Sequence, residues 1–379
     1  MPRTVLLTLG RLPKGLDAAR SFARAGWRVI VAEPFAWHLA RVSRAVARSY
    51  RVAEPNADGE RYLADLAGIV AREGVELVVP VSEEAMHAAA VADRLPPGAR
   101  FYGMAQRDLL AVHDKLGFTR IAAGHGLAVP ATWRADAPKA AALAAERDYV
   151  AKPLFSCSGI GVRLLPRGTP LPDDLPRDRY LVQDWVRGLV CSTFSLAHAG
   201  RVQVTAVYRG TVMGGTVAVA FERIAAPAVE AWVAGFVRAT GWSGSISFDF
   251  VLDEAGCPFA IECNPRMTSG VHFVDPDDLA PAIAEPASRP RVRLRDVRRA
   301  QQFFPCLTET QGSLFRRGAP FRRNLGHLLR SRDVTWSARD PLPLLTMPMT
   351  SWRILRQTLF EGRSMGEAAT ADIGWFGPA

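Results

Sequence analysis

Two apolar stretches late in the chain each carry a carboxylate, and this pairing constrains the fold more than any other feature. Ser247-Phe248-Asp249-Phe250 and Ile261-Glu262-Cys263-Asn264-Pro265-Arg266 read as strands, and the intervening Asp253-Glu254-Ala255-Gly256 has hairpin-turn chemistry. Side chains alternate along a strand, so Asp249 faces away from Phe248 and Phe250, while Glu262 and Asn264 share a face. With the turn centred at Glu254 to Gly256, Asp249 comes alongside Glu262 and Asn264. The bland alternative is a surface hairpin with polar decoration. Acids set among apolar residues would be costly to bury without a partner, which favours a hard, oxygen-rich pocket beside Arg266. Such a donor set suits Mg²⁺, which takes one or two carboxylates and the oxygens of substrate phosphates.

A second constellation lies upstream. Tyr149-Val150-Ala151-Lys152-Pro153 ends a strand and opens into Ser156-Cys157-Ser158-Gly159-Ile160-Gly161. A small, glycine-containing loop can lay backbone N–H groups over phosphate oxygens, and Lys152 at the strand end can reach the same phosphates. No Gly-Lys-Ser/Thr closes the loop before a helix, so it is not a Walker A sequence. Cys157 reads as a small loop filler, with a reactive thiol as the alternative.

The first hundred residues alternate strand and helix signals. Strands are expected at Val5 to Leu9, Trp27 to Ala32 and Leu77 to Val81; helices at Leu16 to Ala25, Gly59 to Glu73 and Glu83 to Arg94. This βαβα order implies a parallel sheet with right-handed crossovers. The turn after the first strand lacks Gly-x-Gly-x-x-Gly, so a dinucleotide site there is weakly supported. Further on, one helical stretch from Arg107 to Gly124 carries Asp114-Lys115, and strands follow at Tyr180 to Val186, Cys191 to Ala197 and Arg201 to Tyr208. Helices are expected again near Arg323 to Arg330 and Trp352 to Phe360.

In order and spacing, Asp114-Lys115, Ala151-Lys152-Pro153 with its glycine loop, Gln183-Asp184-Trp185-Val186 and the two acidic strands resemble the ATP-grasp superfamily. The branch is similar to the carbamoyl-phosphate synthase large subunit and biotin carboxylase, and the resemblance spans roughly residues 1–275. It implies an α/β fold: a Rossmann-like pre-ATP-grasp domain over 1–105, an ATP-grasp domain over 106–285 with a lid subdomain about 125–186, and a mostly helical C-terminal extension over 286–379. By the same resemblance, Lys115 and Lys152 would bind ATP phosphates under a lid formed by Ser156, Ser158, Gly159 and Gly161. Gln183, Asp184, Trp185 and Val186 would form the hinge that reads adenine. Asp249, Glu262 and Asn264 would hold one or two Mg²⁺, or Mn²⁺, and Arg266, with Lys152, would act on the transferring phosphoryl group.

The implied activity is an ADP-forming ligase that activates a carboxylate as an acyl phosphate and joins it to an amine. Alternatives are a phosphotransfer step like that of carbamoyl-phosphate synthase and a nucleotide-binding protein without catalysis. His272, in the loop after the metal strand, and Glu83, in Ser82-Glu83-Glu84, are candidates for substrate contact. Glu83 also reads as a first-turn acid behind a Ser82 N-cap. One departure stands out: relatives often carry Gly-x-Glu after the hinge for the ribose hydroxyls, and Gly188-Leu189-Val190-Cys191-Ser192 has no acid there.

Composition narrows the remaining classes. The net charge of +10 comes almost wholly from arginine, since of 47 basic residues only Lys14, Lys115, Lys139 and Lys152 are lysines. Where arginine fills most cationic positions, a surviving lysine can mark a place that needs a compact point charge. For Lys14 and Lys139 chance survival is an adequate account. The densest basic run, Arg289 to Arg299, alternates with Val292 and Leu294 and reads as a strand or connector with one solvated face. Without aromatic interleaving or a recognisable motif, no nucleic-acid partner is expected. No apolar stretch approaches the length of a membrane helix, so no membrane association is expected. Five scattered cysteines argue against a disulfide framework and for a reduced cytoplasm. Cys257 and Cys263 lack further ligands at zinc spacing. Small-molecule substrates are the expected partners, and a homodimer is compatible with the reading. Pro341-Leu342-Pro343 and Ile373-Gly374-Trp375-Phe376 suggest that the tail packs against the body.

Overall fold

A computed structural model describes residues 2–157, 159–314 and 321–377, the side chain of Leu359 excepted. The chain opens with a five-stranded parallel sheet ordered β3-β2-β1-β4-β5, made of β1 (Thr4–Leu7), β2 (Arg28–Glu33), β3 (Arg48–Arg51), β4 (Leu77–Val79) and β5 (Arg100–Phe101). Period-two alternation along β1 buries both faces. Val5 and Leu7 pack with Phe22 of α1 (Pro13–Arg24), while Leu6 packs with Tyr62 and Leu66 of α2 (Gly59–Glu73). The helix expected over Glu83 to Arg94 is one turn, α3 (Ala85–Ala88), continued as 3₁₀. β3 and β5, short and half-exposed, have too little apolar pattern to be read from sequence.

The helical stretch from Arg107 to Gly124 is two helices, α4 (Gln106–His113) and α5 (Lys115–Gly124). Asp114 breaks it, because its extended backbone lets the carboxylate accept from the Leu116 N–H and cap α5. A four-stranded antiparallel sheet ordered β6-β9-β7-β8 follows, from β6 (Thr132–Arg134), β7 (Tyr149–Pro153), β8 (Arg163–Leu165) and β9 (Tyr180–Asp184), with α6 (Pro138–Glu146) on it. The β9 strand ends at Asp184, two residues before its expected end.

A seven-stranded sheet, β14-β13-β10-β11-β12-β15-β16, forms the centre. Its strands are β10 (Leu189–His198), β11 (Arg201–Gly214), β12 (Val217–Arg223), β13 (Gly244–Leu252), β14 (Pro258–Asn264), β15 (Arg299–Gln301) and β16 (Arg332–Asp333). Behind it lies α7 (Pro227–Thr240), whose Trp232 and Phe236 stack at 5.6 Å and meet Phe248 and Phe250 edge-on at about 5.1 Å. This aromatic core holds the back of β13, so the alternate residue, Asp249, faces the other side.

The remaining chain adds α8 (Pro276–Ala284), α9 (Phe303–Gly312), α10 (Phe321–Arg330), two short turns α11 (Leu342–Leu345) and α12 (Met347–Thr350), α13 (Trp352–Phe360) and α14 (Met365–Thr370). The basic run is a connector for most of its length. Val292 is buried, Arg293 pairs with Asp278 at 2.8 Å, and only Arg299 enters a strand. Ile373 is buried in the core that carries α1.

Candidate active site

The hairpin has the register expected from the turn chemistry: Asp249 stands opposite Glu262, Ser247 opposite Asn264, with an irregularity between Asp249 and Phe250. Asn264 Nδ2 donates to Asp249 Oδ2 at 3.1 Å, and Ser192 Oγ of the neighbouring β10 donates to Asp249 Oδ1 at 2.5 Å. Burial, with the charge of Glu262 beside it, pushes the Asp249 carboxyl up to about 6. A cation would relieve that unfavourable pairing. Asp249, Glu262 and the Asn264 amide oxygen are the hard oxygen donors that Mg²⁺ prefers, with places left for water and phosphate. Among the described residues no group of three or more His, Cys, Asp and Glu side chains gathers that could hold a metal ion.

Two lysines arrive from different elements. Lys152, on β7, donates to Gln183 Oε1 at 2.9 Å and across to the Ile261 carbonyl of β14 at 2.8 Å, so it spans the gap between the four-stranded and seven-stranded sheets. Gln183 is oriented in turn by Thr132 Oγ1 at 2.9 Å. Desolvation pulls the Lys152 ammonium down to about 8, against the attraction of Glu262. Lys115, first residue of α5 and 2% exposed, lies 3.4 Å from Glu262 and donates to the Ser156 carbonyl at 2.9 Å and hydroxyl at 3.1 Å. The loop from Ser156 to Gly161 therefore starts on a cation. Gly159 and Gly161 take φ of 72° and 74°, and a Cβ on Gly161 would sit 2.7 Å from the Tyr180 hydroxyl, so glycine is required there. Ser158 lies outside the described residues.

Arg266 emerges where β14 ends. One of its terminal nitrogens donates to both Glu83 Oε1 and Asn264 Oδ1, the latter at 2.9 Å. Glu83, 2% exposed, is held ionised against its burial mainly by this guanidinium. The fold thus brings Lys115, Lys152, Ser156, Gly159, Gly161, Gln183, Asp249, Glu262, Asn264, Arg266 and Glu83 to one region. Asp184 Oδ2 pairs with Arg147 at 2.8 Å, and Trp185 is partly exposed under Arg187; these residues and Val186 leave the β9 end toward β10. Past Val186, Leu189 and Val190 are 42% and 60% exposed.

His272 is not among the residues brought together. It is buried, its Nδ1 lies 2.8 Å from Asp17 Oδ2, and Asp17 also faces Arg295 at 3.6 Å. Asp17 borders a separate cavity of about 740 Å³ lined also by Arg20, Arg295 and Trp336 among others.

Sequence reasoning passed over Lys14. On the first turn of α1, it donates to the Met267 carbonyl at 2.8 Å, immediately after Arg266. The rarity of lysine in this chain was the signal: three of the four stand at this site, and only Lys139 is on the surface. Cys157 is buried beside Thr370, and burial pushes its thiol up to about 11, which leaves it a poor nucleophile.

Residues 112–270 match the family of the ATP-grasp domain. Among solved structures, biotin carboxylase from Campylobacter jejuni in complex with β,γ-ATP is similar at a TM-score of 0.63 and 14% identity, covering 78% of this chain and 74% of that one. N5-carboxyaminoimidazole synthetase from Staphylococcus aureus gives 0.58 and 13%, covering 78% and 81%. An L-amino acid ligase from Bacillus licheniformis gives 0.58 and 17%, covering 79% of each. No curated protein sequence matches.

Proposed function

From the premise that residues 112–270 are an ATP-grasp domain, we propose that this protein is an Mg²⁺- and ATP-dependent ligase that joins a carboxylate to an amine. The observation that carries the reading is the register of Asp249 on Glu262, with Asn264 hydrogen-bonded to Asp249 and with Lys152 and Lys115 at its edge.

In this reading Asp249, Glu262 and Asn264 hold the metal, with Mn²⁺ an acceptable substitute. Lys115 and Lys152 contact phosphate oxygens, and Ser156 to Gly161 close over them. Main-chain groups of Asp184 and Val186 face the adenine. Mg-ATP, when bound, supplies the phosphoryl group that turns a carboxylate into an acyl phosphate, releasing ADP. The amine then attacks the acyl carbon, phosphate departs with the C–O electron pair, and the nitrogen loses a proton. Arg266 stabilises charge on the oxygens of the transferring group, in a site from which the closed loop excludes water. Domain boundaries at 105 and 285, a reduced cytoplasm as location and a homodimer belong to the same proposal. Among the described residues no helix is long and apolar enough to cross a membrane.

The test is phosphate release from Mg-ATP against pooled carboxylic acids and amines, with pooled amino acids as both. Release is expected only when a carboxylate and an amine are present together, and Glu262→Gln should abolish it. Turnover in Glu262→Gln equal to that of the parent would sink the metal assignment. Mg-ATP binding with no turnover on any pool would favour a non-catalytic nucleotide binder.

A further inference from the structure

The cavity of about 740 Å³ that Asp17 borders lies between α1, the start of α8, the connector that carries Arg295, and β16 with the segment after it. Lys115, Lys152, Asp249 and Glu262 do not line it. Asp17, Arg20 and Arg24 reach it from α1 at the three- and four-residue spacing of one helix face. Pockets for small organic ligands run roughly 300–1,000 Å³, so this space suits a molecule and far exceeds what an inorganic ion fills.

Acids and arginines both line the cavity, so the ligand's sign follows from which of them are already matched. Asp17 Oδ2 lies 2.8 Å from His272 Nδ1. Asp333 accepts the main-chain N–H groups of Phe303, Thr335 and Trp336 at 2.6 to 2.9 Å. Asp277 faces Arg24 at 3.3 Å, and Asp275 accepts the Asp277 N–H to cap α8. Asp296, the remaining acid of the lining, is exposed and stays hydrated. Among the arginines, Arg20 is held by Asp340 through two bonds at 3.0 Å.

Arg295 is different. Its side chain is 16% exposed, and its Nε donates to the Val274 carbonyl at 2.8 Å. Among the described residues neither of its terminal nitrogens has a hydrogen-bond acceptor; Asp17 stands 3.6 Å away and is shared with His272. A largely desolvated guanidinium with both prongs of its fork open matches a carboxylate or phosphate, which takes two parallel N–H bonds. Trp336 lines the same space and is 48% exposed, with apolar Val297 and Val334 beside it in the lining. An aromatic face next to an open guanidinium suits a ligand that is flat and apolar at one end and anionic at the other.

We propose that this cavity is a second ligand site, apart from the catalytic region, for an organic anion that carries a flat ring. The ligand's carboxylate or phosphate takes the open fork of Arg295, and its ring lies against Trp336. The site does not rest on the ligase reading.

The experiment is calorimetric titration of the full chain, with and without Mg-ADP, using phenyl phosphate and benzoate as probes and inorganic phosphate, benzyl alcohol and benzylamine as comparisons. Saturable binding is expected for the ring-bearing anions, with inorganic phosphate about tenfold weaker or more and the uncharged and cationic rings unbound. Arg295→Gln, which keeps a donor for the Val274 carbonyl, should weaken phenyl phosphate about tenfold or more. Trp336→Ala, at a half-exposed side chain, should also weaken phenyl phosphate while leaving inorganic phosphate unchanged. Failure of both anions to bind, equal binding of benzylamine, displacement of phenyl phosphate by Mg-ADP, or an unaltered affinity in either variant would overturn the proposal. A parent dimer that Trp336→Ala disperses would overturn it too, by making the cavity a contact between copies of the chain.

Discussion

Asp249 stands directly across the hairpin from Glu262, and burial beside that second carboxylate pushes Asp249 up to about 6. The site is therefore built at a cost to the metal-free fold. Between about pH 4 and 6 the folded chain keeps a proton on Asp249 that the unfolded chain has released. This group's contribution to stability consequently falls as pH rises through that window.

Asp249→Asn should remove the penalty. At pH 8 and without metal, its urea midpoint is expected to exceed that of the parent by about 1 kcal/mol equivalent, with the gain shrinking at pH 5. The stabilisation by Mg-ATP should vanish in the same variant. A midpoint lower than the parent's at both pH values would contradict the assignment.

Lys152 is lowered to about 8 by desolvation, so its charge on phosphate is lost in the free protein above that pH. Mg-ATP affinity should weaken as pH rises from 7 to 9.5. Lys152→Arg, which stays protonated, should flatten that slope even if its affinity is lower at pH 7. An affinity profile for the parent that is level across this range would remove Lys152 from phosphate contact.

Gly161 has φ of 74° and a Tyr180 hydroxyl where a Cβ would stand, whereas Gly26, at φ 81°, has open space. Gly26→Ala should cost only backbone strain, about 1 kcal/mol. Gly161→Ala should distort the loop as well and raise the KM for ATP. The check is KM and urea midpoint for both variants; a Gly161→Ala enzyme with the parent's KM would show that the loop does not need this geometry.

Arg11 makes two bonds to Asp372, at 2.7 and 2.8 Å, while also holding Glu33. The pair ties the tail to the first sheet at a place where Arg11 is 1% exposed. Asp372→Asn should loosen residues 364–377, seen as faster amide exchange there, and cost about 2–4 kcal/mol. Exchange in the tail indistinguishable from the parent's would show that other contacts hold it.

The parts of the site that were legible in sequence are local. Asp249, Glu262 and Asn264 lie on one hairpin, where alternation and turn chemistry dictate register, and the aromatic faces of Phe248 and Phe250 decide which side is buried. Lys152 and its loop are likewise contiguous. The helix break at Asp114 was hidden because a cap and an interior residue look alike until the backbone direction is known.

Residue type and spacing by themselves determined the parallel first sheet, the acidic hairpin, the glycine loop and the rarity of lysine. Only the tertiary structure decided what those features meet: Lys14 against Met267 of a segment 253 positions away, Glu83 on Arg266, Trp375 on His87, and His272 turned to Asp17 instead of the site. The reason is physical. Periodicity reports which face of an element is buried, but a salt bridge or an orphaned carboxylate depends on which other element covers that face, and that is settled by packing of the whole chain.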